Sequence, residues 1–315
     1  MLAFSRTIPF RQLQAGIGRS TYRLNTIVVG LEFVALGGKR PEHLHVKWDE
    51  PASSAMARQV ADQAKNFALV SATVYGADLF DTFLRNIAAE TWLEFQAETV
   101  HMVGRHGSGP GGHEYSMRER ALKLCAELGV EADPLPATLD LLGKWRNNLV
   151  HGSYGRDRQL TKDVRAELIA GAEFLNQNYA NIDIDRTLKA FENGGHPTRK
   201  DATVLLACVQ NLARLIDESA IHRALPNEAA MEALADRFLG QRWKPLGSDR
   251  RGWVEFCDIW ARAPQDRVKT IAKVLGQLAI TPAKKAISPP LSEAYIGDLA
   301  HLNREEAAMR LQLTS

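Results

Sequence analysis

The sequence has few of the features that mark secreted, metal-binding or membrane-spanning proteins. Its three cysteines lie far apart and form no CxxC pair, so they predict neither a disulfide framework nor a zinc knuckle. The longest apolar run, residues 27–36, is broken by Gly30 and Glu32, whereas a membrane-spanning helix needs about 18 nearly continuous apolar residues. Lysine and arginine together number 39, against 37 acidic residues, so no large field points to a nucleic acid. We therefore expect a globular cytoplasmic protein without a membrane segment, in which any polyanion site is local.

Several motifs of known chemistry are also missing. The sequence contains no P-loop, no GxSxG elbow and no HExxH pattern. Residues 107–112 match GxGxxG by letter, but the segment before them is predicted to be helical and Pro110 lacks a backbone donor for phosphate. His101, His106 and His113 near this loop have no carboxylate pair or cysteine at ligand spacing. We therefore expect no cofactor and no metal site.

Residues 1–51 are predicted to form an N-terminal arm with a small β-hairpin. Ile27–Val29 is β-branched, and Leu44, Val46 and Trp48 alternate with polar residues, which is typical of strands. The first thirty residues contain four arginines and no acid. This composition fits both a mitochondrial transit peptide and the arginine-bearing arm of a bacterial protein, and both readings stay open.

From Ser53 the pattern becomes helical and stays so almost to the C terminus. We predict an all-α fold in which residues 52–224 form an up-and-down bundle, because short loops between long helices favour antiparallel neighbours. Gly76 is expected to interrupt the first helix of this bundle. Residues 227–315 are predicted to form an additional helical region. The predicted bundle helices are residues 53–75, a helix that begins at Asp78, and residues 114–128, 137–151, 162–176, 183–193 and 200–221.

The C-terminal region has a locally basic centre between residues 241 and 286. Arg250 and Arg251 in this stretch are predicted to contact RNA phosphates without reading sequence. The alternative is an ordinary solvated face. Trp253, Phe256 and Trp260 follow the spacing of a core stripe more closely than that of a base-stacking platform.

The most informative segment is the predicted helix that ends at His151. Leu141, Trp145 and Leu149 recur every four residues, which predicts that they form its buried stripe. At about 100° per residue, Arg146 and the other polar side chains of this segment then point away from the core. The segment therefore presents a polar face beside a buried one.

Three of these polar residues can cooperate in chemistry. Asn147 and His151 are i, i+4 neighbours, so the amide can orient the imidazole. The C-terminal end of a helix carries a partial negative charge, which favours the protonated form of the His151 imidazole. Arg146 lies about 140° from His151 around the axis, so both can converge on one substrate only if the same helix of a second subunit packs alongside.

RNA carries its own nucleophile, the 2′-hydroxyl. Its cleavage needs a group that moves protons, as His151 can, and a cation for the charge that gathers on phosphorus, as Arg146 can supply. These residues therefore predict RNA cleavage without a metal ion.

The stretch Arg146–His151 resembles the Arg-x4-6-His motif of the HEPN superfamily, in which a polar residue such as Asn147 follows the arginine. The resemblance implies a metal-independent endoribonuclease that acts as a homodimer, yields 2′,3′-cyclic phosphate ends, and works with an antitoxin or antiphage defence partner. One branch has a tyrosine two residues after the histidine. Here Tyr154 stands one position later, and we expect it to contact RNA. The alternative is a HEPN-like bundle that binds RNA or serves as a scaffold without cutting.

Overall fold

A computed structural model describes residues 2–104, 112, 114–151, 159–245, 249–282 and 285–313. Over these residues the fold is all-α, as predicted, with fourteen α-helices, one short 3-10 helix and two short strands. In chain order the elements are β1 (Leu2–Phe4), α1 (Ile8–Ala35), α2 (Ser54–Ala89), a 3-10 helix (Thr91–Leu93), α3 (Ala97–Val103), α4 (Met117–Leu128), α5 (Leu135–His151), α6 (Lys162–Ala170), α7 (Ala172–Asn178), α8 (Ile184–Glu192), α9 (Arg199–Ala224), α10 (Glu228–Trp243), α11 (Arg251–Trp260), α12 (Pro264–Gln277), β2 (Ile280–Pro282), α13 (Glu293–His301) and α14 (Arg304–Arg310).

The chain divides into two compact units. The bundle unit consists of Pro9–Ala89 and Gln96–Ile216. The terminal unit consists of Met1–Ile8, Glu90–Phe95 and Asp217–Ser315. Helix α1, which the sequence assigns to a separate arm, therefore belongs to the bundle unit.

Helix α2 supplies many of the buried side chains of the bundle unit, and it packs against α5. Among the described residues it is the one helix long and apolar enough to cross a membrane by length and composition. Half of its most apolar window is buried inside the structure. Side chains such as Phe80, Leu84 and Ile87 are fully buried, which is the burial expected of the core helix of a globular bundle.

Helix α2 runs without a break through Gly76, so the predicted interruption at this glycine is wrong. The glycine is needed for packing instead of for a turn. A Cβ atom at Gly76 would lie 2.1 Å from Cδ2 of Leu206 in α9. The absent side chain lets α2 and Leu206 approach closely, and the helix tolerates the local loss of propensity.

The predicted hairpin near residues 27–48 is also wrong. Ile27–Val29 lies inside α1, and residues 38–50 contain no strand. Val28 packs against a buried cluster that includes Leu24 and Ala68, and this helical contact outweighs the β propensity of the branched side chains. The observed two-stranded sheet joins β1 to β2 in antiparallel register, with Ala3 opposite Thr281.

The terminal unit is built around aromatic side chains. Phe4 of β1 stacks on Trp92 with ring centroids 5.2 Å apart. Phe256 and Trp260 of α11 are buried, and Trp260 packs edge-on against Trp243. The aromatic spacing in α11 therefore marks a core stripe, and these two rings are not open to stacking with bases.

Candidate functional site

Helix α5, which carries the Arg146–His151 motif, is held in the bundle unit by its apolar face. Leu141 and Trp145 are buried, as predicted, whereas Leu149 is only half-buried. The indole Nε1 of Trp145 donates a hydrogen bond of 3.0 Å to the carbonyl oxygen of Gly195. The same ring packs edge-on against Phe191 at 5.7 Å. These contacts fix the rotation of α5 and therefore the direction of its polar face.

Arg146 and Asn147 lie on this polar face. Asn147 is exposed, and the Arg146 side chain keeps 31% of its surface accessible. Nη1 of Arg146 donates to Oδ1 of Asn147 at 3.1 Å, and Nη2 donates to Oδ1 of Asp78 in α2, also at 3.1 Å. The guanidinium is therefore positioned by a carboxylate on another helix while part of it still faces solvent.

The pair Arg146–Asp78 belongs to the wall of a polar cleft with a volume of about 470 Å³. The cleft is bounded by α2, by α5, and by the start of α4 with the residues just before it. Four acidic and four basic side chains line it. They are Asp78, Asp81, Glu114 and Asp140, together with Arg118, Arg120, Lys144 and Arg146.

Local sequence explains why the start of α4 reaches this cleft. Ser116 caps α4 through a capping box with Glu119, which ends the preceding segment at a fixed point. Gly143 of α5 faces Met117, and a Cβ at Gly143 would lie 3.1 Å from the methionine methyl group. The glycine thus permits the close approach that brings the α4 side chains to the cleft.

Most of the cleft charges are arranged in pairs. Asp81 binds both Arg85 and Arg120, and Arg118 binds Glu167 at 2.6 Å. Because Arg120 is largely buried, its pKa is lowered from the ordinary value. The cleft therefore presents fixed dipoles and ion pairs instead of a uniformly positive surface.

Asp140 is a carboxyl group of the cleft whose pKa is perturbed. Burial raises its pKa above the ordinary value, while the nearby charges of Lys144 and Arg118 lower it. Lys144 stands two residues before Arg146 on α5 and adds a second cation to the same wall.

The structure brings only part of the predicted site into view. Arg146 and Asn147 lie together in the cleft, and α5 ends at His151 as the sequence predicts. The side chain of His151 and the whole of Tyr154 lie outside the described residues. The orientation of His151 by Asn147 therefore stays a prediction, whereas the amide oxygen of Asn147 accepts a hydrogen bond from Arg146.

Arg250 and Arg251 lie in the terminal unit on an open surface depression of about 830 Å³. Both are exposed, but Arg251 is bound to Asp249, with Nη2 and Oδ2 2.6 Å apart, and this contact lowers the pKa of Asp249 to about 2. Glu255 and Asp258 line the same depression. The basic character that the sequence suggests is thus offset locally by carboxylates that come from neighbouring turns of the chain.

Sequence reasoning missed Asp78, Asp140 and Lys144 as parts of the site. Lys144 lies about half a turn from Arg146 around the motif helix, so helical periodicity alone does not place the two together. Asp78 had no signal in the sequence, because only the packing of α2 on α5 brings it to the arginine. In the part of the chain that the structure describes, no group of three or more His, Cys, Asp or Glu side chains is placed to hold a metal ion.

Comparison with known proteins gives no further guide to the site: no protein-family model matches the chain, and neither does any curated protein or solved structure.

Proposed function

We propose that this chain is a metal-independent endoribonuclease of the HEPN type, with its catalytic groups on α5. One observation carries the proposal: Arg146, the arginine of the motif, is held at the wall of a polar cleft, on the helix that ends at the motif histidine His151. Lys144 adds a cation beside it. A phosphodiester placed against these two side chains would meet donors that suit its oxygens.

The proposed reaction needs one proton acceptor, one proton donor and a cation. His151 takes the proton of the ribose 2′-hydroxyl, and the 2′-oxygen then attacks phosphorus as the bond from phosphorus to the 5′-oxygen breaks. The departing 5′-oxygen receives a proton from a protonated imidazole, the partner subunit's His151. Arg146 stabilises the extra negative charge on phosphorus during the transfer. The products are a 2′,3′-cyclic phosphate and a 5′-hydroxyl.

Asp78 gives Arg146 a defined starting position in this scheme. The ion pair is partly exposed on both sides, so exchanging the carboxylate for an RNA phosphate costs little energy. Asp78 therefore acts as a positioning residue that keeps the guanidinium directed along the cleft wall until RNA arrives.

The proposal includes a homodimer in which two α5 helices complete one cleft, and a cellular role with an antitoxin or another defence partner. Within one straight helix Arg146 and His151 are too far apart around the axis to act as a local pair, and this supports a shared site.

A non-catalytic RNA-binding or scaffolding protein is the second candidate. The ion pairs of the cleft favour it, because side chains held in such pairs suit a fixed docking surface. Such a protein would bind RNA and leave it intact.

The proposal predicts that Arg146→Ala and His151→Ala each lower RNA cleavage in excess EDTA by roughly 10²- to 10⁴-fold, the usual cost of removing a charge stabiliser or a proton-transfer group. The measurement is the rate of cutting of total RNA, with the melting temperature as a check on folding. Arg165→Ala is the matched control, because Arg165 is another partly exposed arginine of the bundle unit bound to a carboxylate, Glu192.

Three results contradict the proposal: cleavage only with added divalent metal, full activity in either motif variant, or equal losses in the Arg165→Ala control. RNA binding without cleavage by the wild-type protein supports the second candidate.

A further inference from the structure

The C-terminal half of α1 is largely apolar, and among the described residues nothing packs on its outer side. None of residues 25–36 is buried, although residues 27–36 are the longest apolar run of the chain. Leu24 is buried against Ala68 and Leu69 of α2, and Val28 packs on the same cluster. These contacts define the inner side of α1 and leave its opposite side uncovered.

The exposed side carries a regular stripe. Tyr22, Thr26, Val29, Phe33 and Leu36 are spaced by four, three, four and three residues, and they lie between roughly 120° and 200° around the helix from Leu24. Their exposure is high, at 75% for Tyr22, 57% for Val29, 65% for Phe33 and 76% for Leu36. Leu36 follows the last helical residue, but its amide still donates to the carbonyl of Glu32, so it continues the stripe.

We propose that this stripe, residues 22–36, binds the same stripe of a second copy of the chain in antiparallel orientation. A spacing of alternating four and three residues is the seam of two helices packed side by side. Binding at a lipid surface needs an apolar face but no such seam. The spacing therefore favours a helix as the occupant.

The pattern of side-chain sizes favours a second copy over an unrelated helix. With a two-fold axis between Val29 and Gly30, the bulky Phe33 faces the small Thr26 of the partner subunit, and Val29 faces Gly30 of the partner subunit. Large residues thus oppose small ones along an isologous contact. Gly30 next to Val29 has no atom within 4 Å of where its Cβ would be, so packing within the chain does not explain a glycine there. In the proposed register this glycine leaves room for Val29 of the partner subunit.

The area is sufficient for a dimer. Taking aromatic side chains at about 150–250 Å² and the others somewhat smaller, the exposed parts of the stripe amount to roughly 600 Å² per copy. A contact that covers the whole stripe on both copies would bury at most roughly 1,200 Å², the lower limit of specific interfaces. A patch of this size is at the upper limit of what monomeric proteins expose.

This surface is separate from the cleft. Gly16 of α1 packs on Leu79, the neighbour of Asp78, whereas Val29 lies thirteen residues, roughly 20 Å, further along the helix. The inference therefore does not rest on the ribonuclease proposal, and it can fail while that proposal stands.

The test is the mass of the full-length protein by sedimentation velocity without RNA, at roughly 50 µM, where a dimer of micromolar affinity is well populated. We expect Phe33→Glu to halve the mass of the assembly, because a buried carboxylate without a partner disrupts the seam. Phe67→Glu is the matched control: Phe67 on α2 is 74% exposed, off the stripe, and the same change there should leave the mass unchanged. Both side chains are exposed in the single chain, so at a protein concentration well below the dimer's dissociation constant both variants should melt like the wild type.

A cysteine variant tests the orientation. In the antiparallel arrangement Val29→Cys lies beside the axis, close to its own copy, and should form a disulfide-linked dimer on mild oxidation. Phe67→Cys should not. Equal masses for the wild type and Phe33→Glu overturn the inference. A second result also overturns it: the wild type floats with phospholipid vesicles, and Phe33→Glu does not.

Discussion

A buried carboxyl group in the terminal unit links protonation to folding. Asp217 of α9 is fully buried and accepts hydrogen bonds from Thr7, with the backbone nitrogen of Thr7 3.3 Å from each carboxylate oxygen and the hydroxyl group also donating. Burial raises the pKa of Asp217 to about 7, against the hydrogen bonds from Thr7. Glu218 raises this pKa further, and Arg6 lowers it.

Because the folded pKa of Asp217 lies above the unfolded value of about 3.9, the folded state binds the proton more tightly, and this contribution to stability is lost as pH rises towards 7. We expect the free energy of unfolding to fall by about 2 kcal/mol from pH 5 to pH 7 through this group alone. Asp217→Asn, which mimics the neutral form, should not show that change. Urea unfolding of both proteins at both pH values measures it, and a constant difference between them would show that Asp217 does not titrate in this range.

At the scale of elements, close packing between two helices of the bundle unit requires a residue without a side chain. Gly76→Ala places a methyl group 2.1 Å from Cδ2 of Leu206, so the Leu206 side chain has to change its conformation or α2 and α9 have to move apart. We expect a loss of about 1–3 kcal/mol in the free energy of unfolding, the usual cost of overpacking a core. Gly18→Ala in α1 is the control, since no atom lies within 4 Å of its Cβ position, and it should be neutral or slightly stabilising. Equal stability of the two variants would refute the packing role of Gly76.

The sequence predicts a structural feature when the residues that determine it are close together along the chain. The N-terminal cap at Ser116, the left-handed Gly129 that ends α4 and the buried Trp145 of α5 all act within a few residues, and periodicity with capping predicts such features. The pairing of β1 with β2 joins residues about 280 positions apart and has no turn signal between them. The role of Asp78 likewise depends on which helix packs on which, and no local pattern encodes it.

At the scale of the whole molecule, the nearly balanced charge of the sequence recurs on its surfaces. The cleft beside α5 holds equal numbers of acidic and basic side chains, and Arg251 of the terminal unit is bound to Asp249. Attraction over long distances therefore contributes little to RNA binding in this account. In the proposed function, recognition depends instead on a few placed cations, of which Arg146 is the central one.

The most direct test of the ribonuclease proposal uses the chemistry of the substrate. A short RNA with a single efficient cutting site is compared, in excess EDTA, with the same RNA carrying one 2′-deoxyribose immediately before the cut. The account predicts that the all-ribose strand yields a 2′,3′-cyclic phosphate and a 5′-hydroxyl, and that the deoxy substitution abolishes cutting there, because the nucleophile is gone. Cutting of the deoxy strand at the same bond would contradict the account, because the nucleophile would then be water or a protein group.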